Sequence, residues 1–486
     1  MPRAASGLLA LQIGARLGTF VLNQVLVRTA SPAVFGAANV QLVLVLSTVL
    51  ALSREGTRAL MLRRQDALRR GDPMLHNLAL VPVWIGSVLS VVVGWAYVTY
   101  LAPAALWAQS GVAVPVSVAL YGLGAWLELW AEPLHTCALG LDAYVSIRVA
   151  MEAAGLAAKA VVTAVLLQPA CLAAMQRCVA AYVALSPAAC ALLAFAWGRV
   201  AYGAMVLLIG AVRLRGHARR WWWPTRAAAV WGDAPTRAFL RVTTGQAALK
   251  LVLTEGEKLA AARLTTLDEQ GAYALASNYG SLVARMLFQP LEESVRLRLS
   301  QGGEAAAWMS TLLRLHVLFG TGLVALAPPV AAPFLRLVAG PAWAHAAPIL
   351  GMYCWYVPVL GVNGVVEAFV QSVAPARVLR VYSYVLMASS AVMVGVLASP
   401  VAEARMVVAN IASLSVRALA SSAYVGYVSR RLWDGLLPHG WVWGVLVACG
   451  AIVRAYPAWW GVCAAACVAA VVVGERRALA QALRML

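Results

Sequence analysis

From Leu78 to Leu127 the chain carries no charged side chain. An apolar stretch of that length suits two membrane-spanning helices of about 20 residues each with a turn between them. Inside a bilayer the backbone finds no water to bond, so helices that satisfy their own N–H and C=O groups are the default. Composition extends this reading to the whole chain. Of 486 residues, 62% are hydrophobic and only 12% are charged, outside the range of soluble domains. The sequence therefore predicts an all-α, polytopic membrane protein. A formal charge of +19 would suggest nucleic acid in a soluble chain; here it reads as a topological signal, and no nucleic-acid partner is expected. The eight cysteines fall mostly in apolar runs, as Cys178, Cys190, Cys449, Cys463 and Cys467 do, with no CxxC pair. Neither a disulfide framework nor a zinc site is expected, and no cofactor is implied. No Asn-x-Ser/Thr sequon occurs. The first apolar run contains Gln12, Arg16 and Asn23, too polar for a cleaved signal core, and reads as a retained helix.

Apolar runs and breaks place fourteen spans, near 7–28, 33–54, 77–101, 112–136, 144–167, 178–211, 238–263, 270–294, 309–334, 345–372, 379–399, 404–429, 437–454 and 457–474. The sixth is long, with Pro187 and Arg199 as interruptions. Kept as one span, it puts Arg58, Arg63, Arg64, Arg69 and Arg70 on the same side as Arg213, Arg215, Arg219, Arg220 and Arg226. Arg296, Arg298, Arg377, Arg430, Arg431, Arg476 and Arg477 join them there. Arginine-rich short loops stay cytoplasmic, so both termini are expected there too. Residues 212–237 place Trp221, Trp222 and Trp223 beside arginines and read as a basic amphipathic linker on the bilayer surface.

A weak internal echo supports two halves. Gly36-Ala37 and Gly271-Ala272 open the second and eighth spans, which end in Glu55-x-x-Arg58 and Glu293-x-x-Arg296. Six spans separate the two units, so they share an orientation. The expected organisation is an N-terminal lobe over 1–211, the linker over 212–237, a C-terminal six-helix lobe over 238–429, and two extra helices with a tail over 430–486.

All three lysines, Lys159, Lys250 and Lys258, lie within predicted spans, while every other base is arginine. A cation in hydrocarbon costs about 3 kcal/mol or more and persists only with a partner, a wet cavity or a ligand. These lysines belong to polar stripes, because residues 3 and 4 apart share a helix face. The fifth span carries Arg148, Glu152, Gly155 and Lys159; the first carries Gln12, Arg16, Thr19 and Asn23. The seventh carries Lys250, Thr254, Glu257 and Lys258; the eighth carries Asn278, Ser281, Arg285, Gln289 and Glu292. Glu128, Glu132 and His135 mark the fourth, and Asn363 and Glu367 the tenth. Such stripes must face one another or water, which predicts a shared central cavity. Arg148 and Glu152, one turn apart, also suit a plain ion pair, and Gly14-x-x-x-Gly18 suits helix packing. His135 and His316 are expected to be satisfied by a hydrogen bond rather than to carry protons. No GxxxxGK[ST] loop, Ser-His-Asp arrangement or metal-ligand cluster stands out, so an enzyme is not expected.

Several runs resemble one known family. These are Thr19-Phe20-Val21-Leu22-Asn23, Ala51-Leu52-Ser53-Arg54-Glu55, and Leu249 through Lys258. The most specific runs from Asn278-Tyr279-Gly280-Ser281 through Arg285 to Phe288-Gln289-Pro290-Leu291-Glu292-Glu293-Ser294, and another joins Tyr353-Cys354 to Asn363-Gly364-Val365-Val366-Glu367. Together they resemble the eukaryotic Rft family, associated with dolichol-linked oligosaccharide translocation in the endoplasmic reticulum, over essentially the whole chain. The resemblance implies the multidrug/oligosaccharidyl-lipid/polysaccharide flippase superfamily, with fourteen helices and two lobes. It implies as partners the ER membrane and a heptasaccharide of five mannoses and two N-acetylglucosamines on dolichyl diphosphate; it names no protein partner. The Ala/Arg-rich linkers and the short 299–308 segment depart from the family's pattern.

That substrate requires cations for its diphosphate and hydrogen-bond partners for its sugars. Arg16, Arg148, Lys159, Lys250 and Arg285 are the expected cations, with Glu257, Glu367, Asn23 and Asn363 for sugar hydroxyls or for holding those cations. Glu292 and Glu293 suit a gating latch with Arg54 or Arg58, beside Glu55. The prenyl tail would stay in lipid along the last two helices. Three readings compete: a flippase working by alternating access, a non-transporting factor that binds or delivers the glycolipid, and a cation-coupled small-molecule exporter. The mixed, locally basic stripes disfavour the last.

Overall fold

The computed structural model describes residues 24–141, 144–179, 184–226, 234–283, 288, 305–399, 404–428 and 438–483. Those residues form helices joined by short turns, with no strand among them. Ten of the described helices are long and apolar enough to cross a membrane, and Gly440–Ala455 is a shorter apolar one. Of the other expected spans, 7–28 lies almost wholly outside the described residues. The span at 238–263 is a helix too polar to join the ten, and 270–294 is described as helix up to Val283.

The chain divides into two compact units, Met1–Arg263 and Leu264–Leu486. The first comprises α1 (Pro32–Arg63), α2 (Pro73–Leu101), α3 (Ala113–Leu129), α4 (Glu132–Gly140), α5 (Tyr144–Leu166), α6 (Pro169–Val179), α7 (Pro187–Arg213), α8 (Arg215–Trp221) and α9 (Ala234–Leu264). The division falls after α9, not at the 212–237 linker, because the end of this helix is tied into the first unit. The Gln41 amide donates to the Ala262 carbonyl at 2.8 Å, and Arg263 donates to the Tyr100 carbonyl. Gln41 sits in a π-helical turn of α1, Ala37–Gln41, where it also accepts from the Tyr97 hydroxyl at 2.9 Å. Such turns often mark positions where a side chain is put to special use.

Helix starts follow from local chemistry. Ser31, Asp72 and Ser186 each accept a hydrogen bond from a first-turn N–H, and each is followed by proline at the first helical position. A side-chain cap plus a residue that lacks the orphan N–H is a strong start signal. The sixth span accordingly begins at Pro187, which opens the helix rather than interrupting it, and residues up to Val179 form the separate α6. Gly71 precedes Asp72 with φ 76°, a left-handed turn that glycine enters without strain.

The tryptophan-rich segment is docked onto its own unit. His76 stacks on Trp221 with centroids 4.6 Å apart, and its Nε2 lies 2.9 Å from the Trp223 carbonyl. Asn77 donates to the Thr225 carbonyl at 2.9 Å and accepts from the Thr225 N–H at 2.7 Å. Trp222 donates to the Trp130 carbonyl at 3.2 Å. Only Trp223 of the three is exposed. The segment is therefore pinned to the ends of α2 and α3, because indole N–H groups and an orphaned backbone find partners there.

Close packing brings α7 between α3 and α5. A Cβ on Gly203 would lie 2.5 Å from the Gly124 carbonyl oxygen, and one on Gly155 would lie 2.8 Å from Val206. Small residues at these crossings let backbones approach where lipid supplies no hydrophobic drive. Outward apolar side chains such as Val88, Val91 and Trp95 on α2 are exposed, as a bilayer-facing surface requires.

The second unit comprises α10 (Leu267–Val283), α11 (Ala305–Leu326), α12 (Ala347–Val373), α13 (Ala376–Ala398), α14 (Arg405–Val428), α15 (Gly440–Ala455), α16 (Trp460–Gly474) and α17 (Arg476–Leu483). Pro358 lies inside α12 and fits against Gly320 of α11. Just past α16, the buried Glu475 carboxylate accepts from the His439 N–H at 2.9 Å and from Arg314 at 2.7 Å. Burial raises this carboxyl's pKa, but the His439 N–H and Arg314 outweigh it and hold the group below its ordinary value. An apolar groove of about 760 Å³ runs between α11, α12, α14 and α15, lined by Val324, Trp355, Val359, Leu419 and Val447, with Arg454 as its charged group.

Candidate functional site

The charged residues of the first unit converge at the break between α3 and α4. Glu128, near the end of α3, is 8% exposed and accepts from Arg54 at 2.6 Å and from Arg199 of α7. Glu132 opens α4 and is 3% exposed. It takes a two-pronged bond from Arg58, at 2.9 Å from Nε and 2.5 Å from Nη2, and lies 3.4 Å from Arg54. Its place at a helix N-terminus adds favourable dipole. Three guanidiniums thus share two carboxylates. The Arg54 and Arg199 Nε donors are buried without a hydrogen-bond partner, so the cluster has cationic donors to spare. The Arg199 guanidinium also lies over the Tyr202 ring, 4.3 Å from its centroid.

Lys159 sits on α5 near this cluster, and its carbonyl accepts from Thr163 at 2.7 Å. Among the described residues no carboxylate lies within ion-pairing distance of its ammonium, and the charge acting on it is another cation, Arg199. A half-buried cation in a membrane helix with only a like charge beside it is in an unfavourable position. The arrangement becomes favourable when an anion enters.

Further along the same face of α5, Arg148 pairs with Glu152 at 2.7 Å and donates to the Tyr144 hydroxyl at 2.6 Å. Arg148, Tyr144, Glu55, Arg58, Glu132 and His135 line a cleft of about 400 Å³. His135 is 7% exposed and its Nδ1 is buried without a hydrogen-bond partner, a condition costing about 1–3 kcal/mol. The expectation of a satisfied histidine is met in part by His316, whose Nδ1 meets the Leu312 carbonyl at 2.7 Å while its Nε2 is buried without a partner, and is not met at the Nδ1 of His135.

In the second unit, Glu367 accepts from Arg417 at 2.9 and 2.7 Å, from Gln371 at 3.1 Å and from Asn363 at 2.9 Å. This is a one-to-one ion pair with its carboxylate oxygens occupied. Glu269 and Arg405 form another pair at 3.2 Å.

Of the residues singled out from sequence, Arg54, Arg58, Arg148 and Lys159 fall in the first unit's charged region, with Glu55 exposed at the cleft. Asn363 and Glu367 fall together in the second unit. Arg16, Asn23, Arg285, Glu292 and Glu293 lie outside the described residues, and so does the expected latch that used the last two. Lys250 and Glu257 fall on α9 with side chains outside the described set. Arg54 and Arg58 have Glu128 and Glu132 as acid partners. Arg199 and Arg417 were not among the candidates; the signal available was an arginine inside an apolar span, which marks a buried partner or a site.

The family model described as Rft protein matches residues 1–485. The Man(5)GlcNAc(2)-PP-dolichol translocation protein RFT1 of Eremothecium gossypii is 29% identical over 470 residues, covering 89% of this chain and 83% of that protein. The protein of the same name from Saccharomyces cerevisiae is 28% identical, covering 81% of this chain and 76% of its own length. That of Mus musculus is also 28% identical, with 88% and 82% covered. Among solved structures, the lipid II flippase MurJ in an inward closed conformation aligns with a TM-score of 0.61 at 9% identity, covering 96% of this chain and 97% of its own. An inward-facing multidrug resistance MATE family transporter aligns at 0.53 and 11% identity, covering 86% and 99%. These likenesses show a fold shared with MurJ and MATE proteins. Matched from end to end by that family model, the chain belongs to the Rft protein family, a family of multi-span membrane translocation proteins and not of enzymes.

Proposed function

We propose that the chain moves a dolichyl-diphosphate heptasaccharide, five mannoses and two N-acetylglucosamines, from the cytoplasmic to the luminal leaflet of the endoplasmic reticulum membrane, by alternating access. The names of its relatives support the substrate class. The topology adopted is the arginine-side reading, with both termini cytoplasmic. The observation that carries the chemistry is Lys159, a membrane-embedded ammonium with a cation for its neighbour and no carboxylate at hand among the described residues. The diphosphate supplies the missing anion, assisted by the spare donors of Arg54 and Arg199. Lysine acts as a point charge and arginine as a fork, a pairing suited to successive phosphates. Passage then places the charged head group in the protein while the tail never leaves hydrocarbon, avoiding the cost of carrying a dianion through the bilayer core.

The test is reconstitution of the purified chain into vesicles with the dolichyl-diphosphate heptasaccharide, reading its arrival in the opposite leaflet against protein-free vesicles. Protein-dependent arrival is the expected result. Tight binding without arrival would overturn translocation and leave a factor that holds or delivers the glycolipid.

A further inference from the structure

We infer that the cleft between α1, α2, α4 and α5 is a neutral-sugar subsite, separate from the diphosphate position and selective for the glycan. This rests on reading the cargo as a lipid-linked oligosaccharide. The cleft's volume of about 400 Å³ is in the range of small-ligand pockets. Its lining mixes charged and hydrogen-bonding groups with apolar side chains such as Met61, Leu62 and Pro82, as a ring with hydroxyl edges and C–H faces requires.

Charge decides the class of ligand. Both cations in the wall are already engaged, Arg58 forked onto Glu132 and Arg148 held by Glu152 and the Tyr144 hydroxyl. A phosphate would displace these bonds and face the carboxylates of Glu55 and Glu132. An amine would face Arg58 and Arg148. A neutral polyol meets neither repulsion, and its hydroxyls can donate to Glu55, which is exposed at this site. His135 adds the second observation. It lines the cleft and has a buried ring nitrogen without a partner, a vacancy that a hydroxyl, able to donate and accept, fills in either tautomer.

The subsite is also set apart along α5. Arg148 and Lys159 are eleven positions apart on one face, about 16 Å at the helical rise. That distance separates a sugar bound at the cleft from a diphosphate at Lys159.

The experiment titrates full-length protein in nanodiscs with the released heptasaccharide, which lacks lipid and diphosphate, and repeats it in the presence of inorganic pyrophosphate. Two variants are compared: Ala59→Trp, which fills the cleft from an exposed position, and His135→Ala. Both are expected to weaken glycan binding about tenfold or more, with pyrophosphate failing to compete. Wild-type affinity in both variants, or displacement by pyrophosphate, would overturn the subsite. Translocation of the intact glycolipid is followed in parallel. If it proceeds while the free glycan does not bind wild-type protein, the subsite is wrong and the proposed function stands. If wild-type protein moves nothing, the parent reading falls and the subsite with it.

Discussion

The two units handle buried charge differently. In the first, Arg54, Arg58 and Arg199 share Glu128 and Glu132, and among the described residues no carboxylate pairs with Lys159. In the second, Glu367 matches Arg417 one to one and is further bonded by Gln371 and Asn363. A balanced pair with its carboxylate oxygens filled has no surplus charge to offer a ligand, though the Arg417 Nε and Asn363 Oδ1 are buried without a partner, and it serves as a clamp between α12 and α14. A cluster with more cations than carboxylates is held only partly by its own acids, and the remainder is available to an anion. Membrane burial makes the distinction sharp, because an uncompensated charge that water would tolerate is costly there.

The largest expected effect comes from removing the keystone of the first cluster. Glu128→Ala leaves Arg54 and Arg199 short of their main acceptor and should destabilise the protein by about 3–5 kcal/mol, seen as a lowered Tm or lost monodispersity in detergent. The matching change in the second unit is the double substitution Glu367→Met with Arg417→Leu. Replacing a buried pair by apolar groups is often neutral or stabilising, so stability within about 1 kcal/mol of wild type and unimpaired translocation are expected. Loss of translocation in a folded double variant would break the contrast and return Glu367 and Asn363 to the substrate.

A third prediction uses pH on the second unit's clamp at Glu475. Its carboxyl lies below the ordinary range in the folded protein, so it contributes stability at neutral pH that is lost as pH falls through that depressed value. The Tm advantage of wild type over Glu475→Gln should be widest near neutrality and close under acid conditions. The smallest effect concerns the docked tryptophan segment. Asn77→Ala removes its two bonds to Thr225 and should cost about 1 kcal/mol, read as faster proteolysis around residues 214–226.

Much of the fold was legible because membrane helices announce themselves by length and apolarity, and ten of the expected spans have apolar helical counterparts. Lys159 stood out for a chemical reason, a lysine kept in a span where the chain otherwise writes arginine. The stripe of Glu128, Glu132 and His135 was visible from steps of four and three. Its partners were not. Periodicity reports which residues share a face, but not which helix lies opposite, and Arg54 meets Glu128 across 74 positions of chain. Arg199 read as an interruption because an arginine in an apolar run looks like a break until its carboxylate is known. Pro187 misled for the opposite reason: it marks a start when a capping serine precedes it.

The account stands most directly on Lys159. The rate at which reconstituted Lys159→Glu protein moves the dolichyl-diphosphate heptasaccharide between leaflets should fall about tenfold or more, with Tm not lowered, because among the described residues the ammonium has no acid partner to lose and Arg199 beside it is a like charge. Transfer at the wild-type rate by that folded variant would contradict the claim that surplus positive charge in the first unit receives the anionic head group.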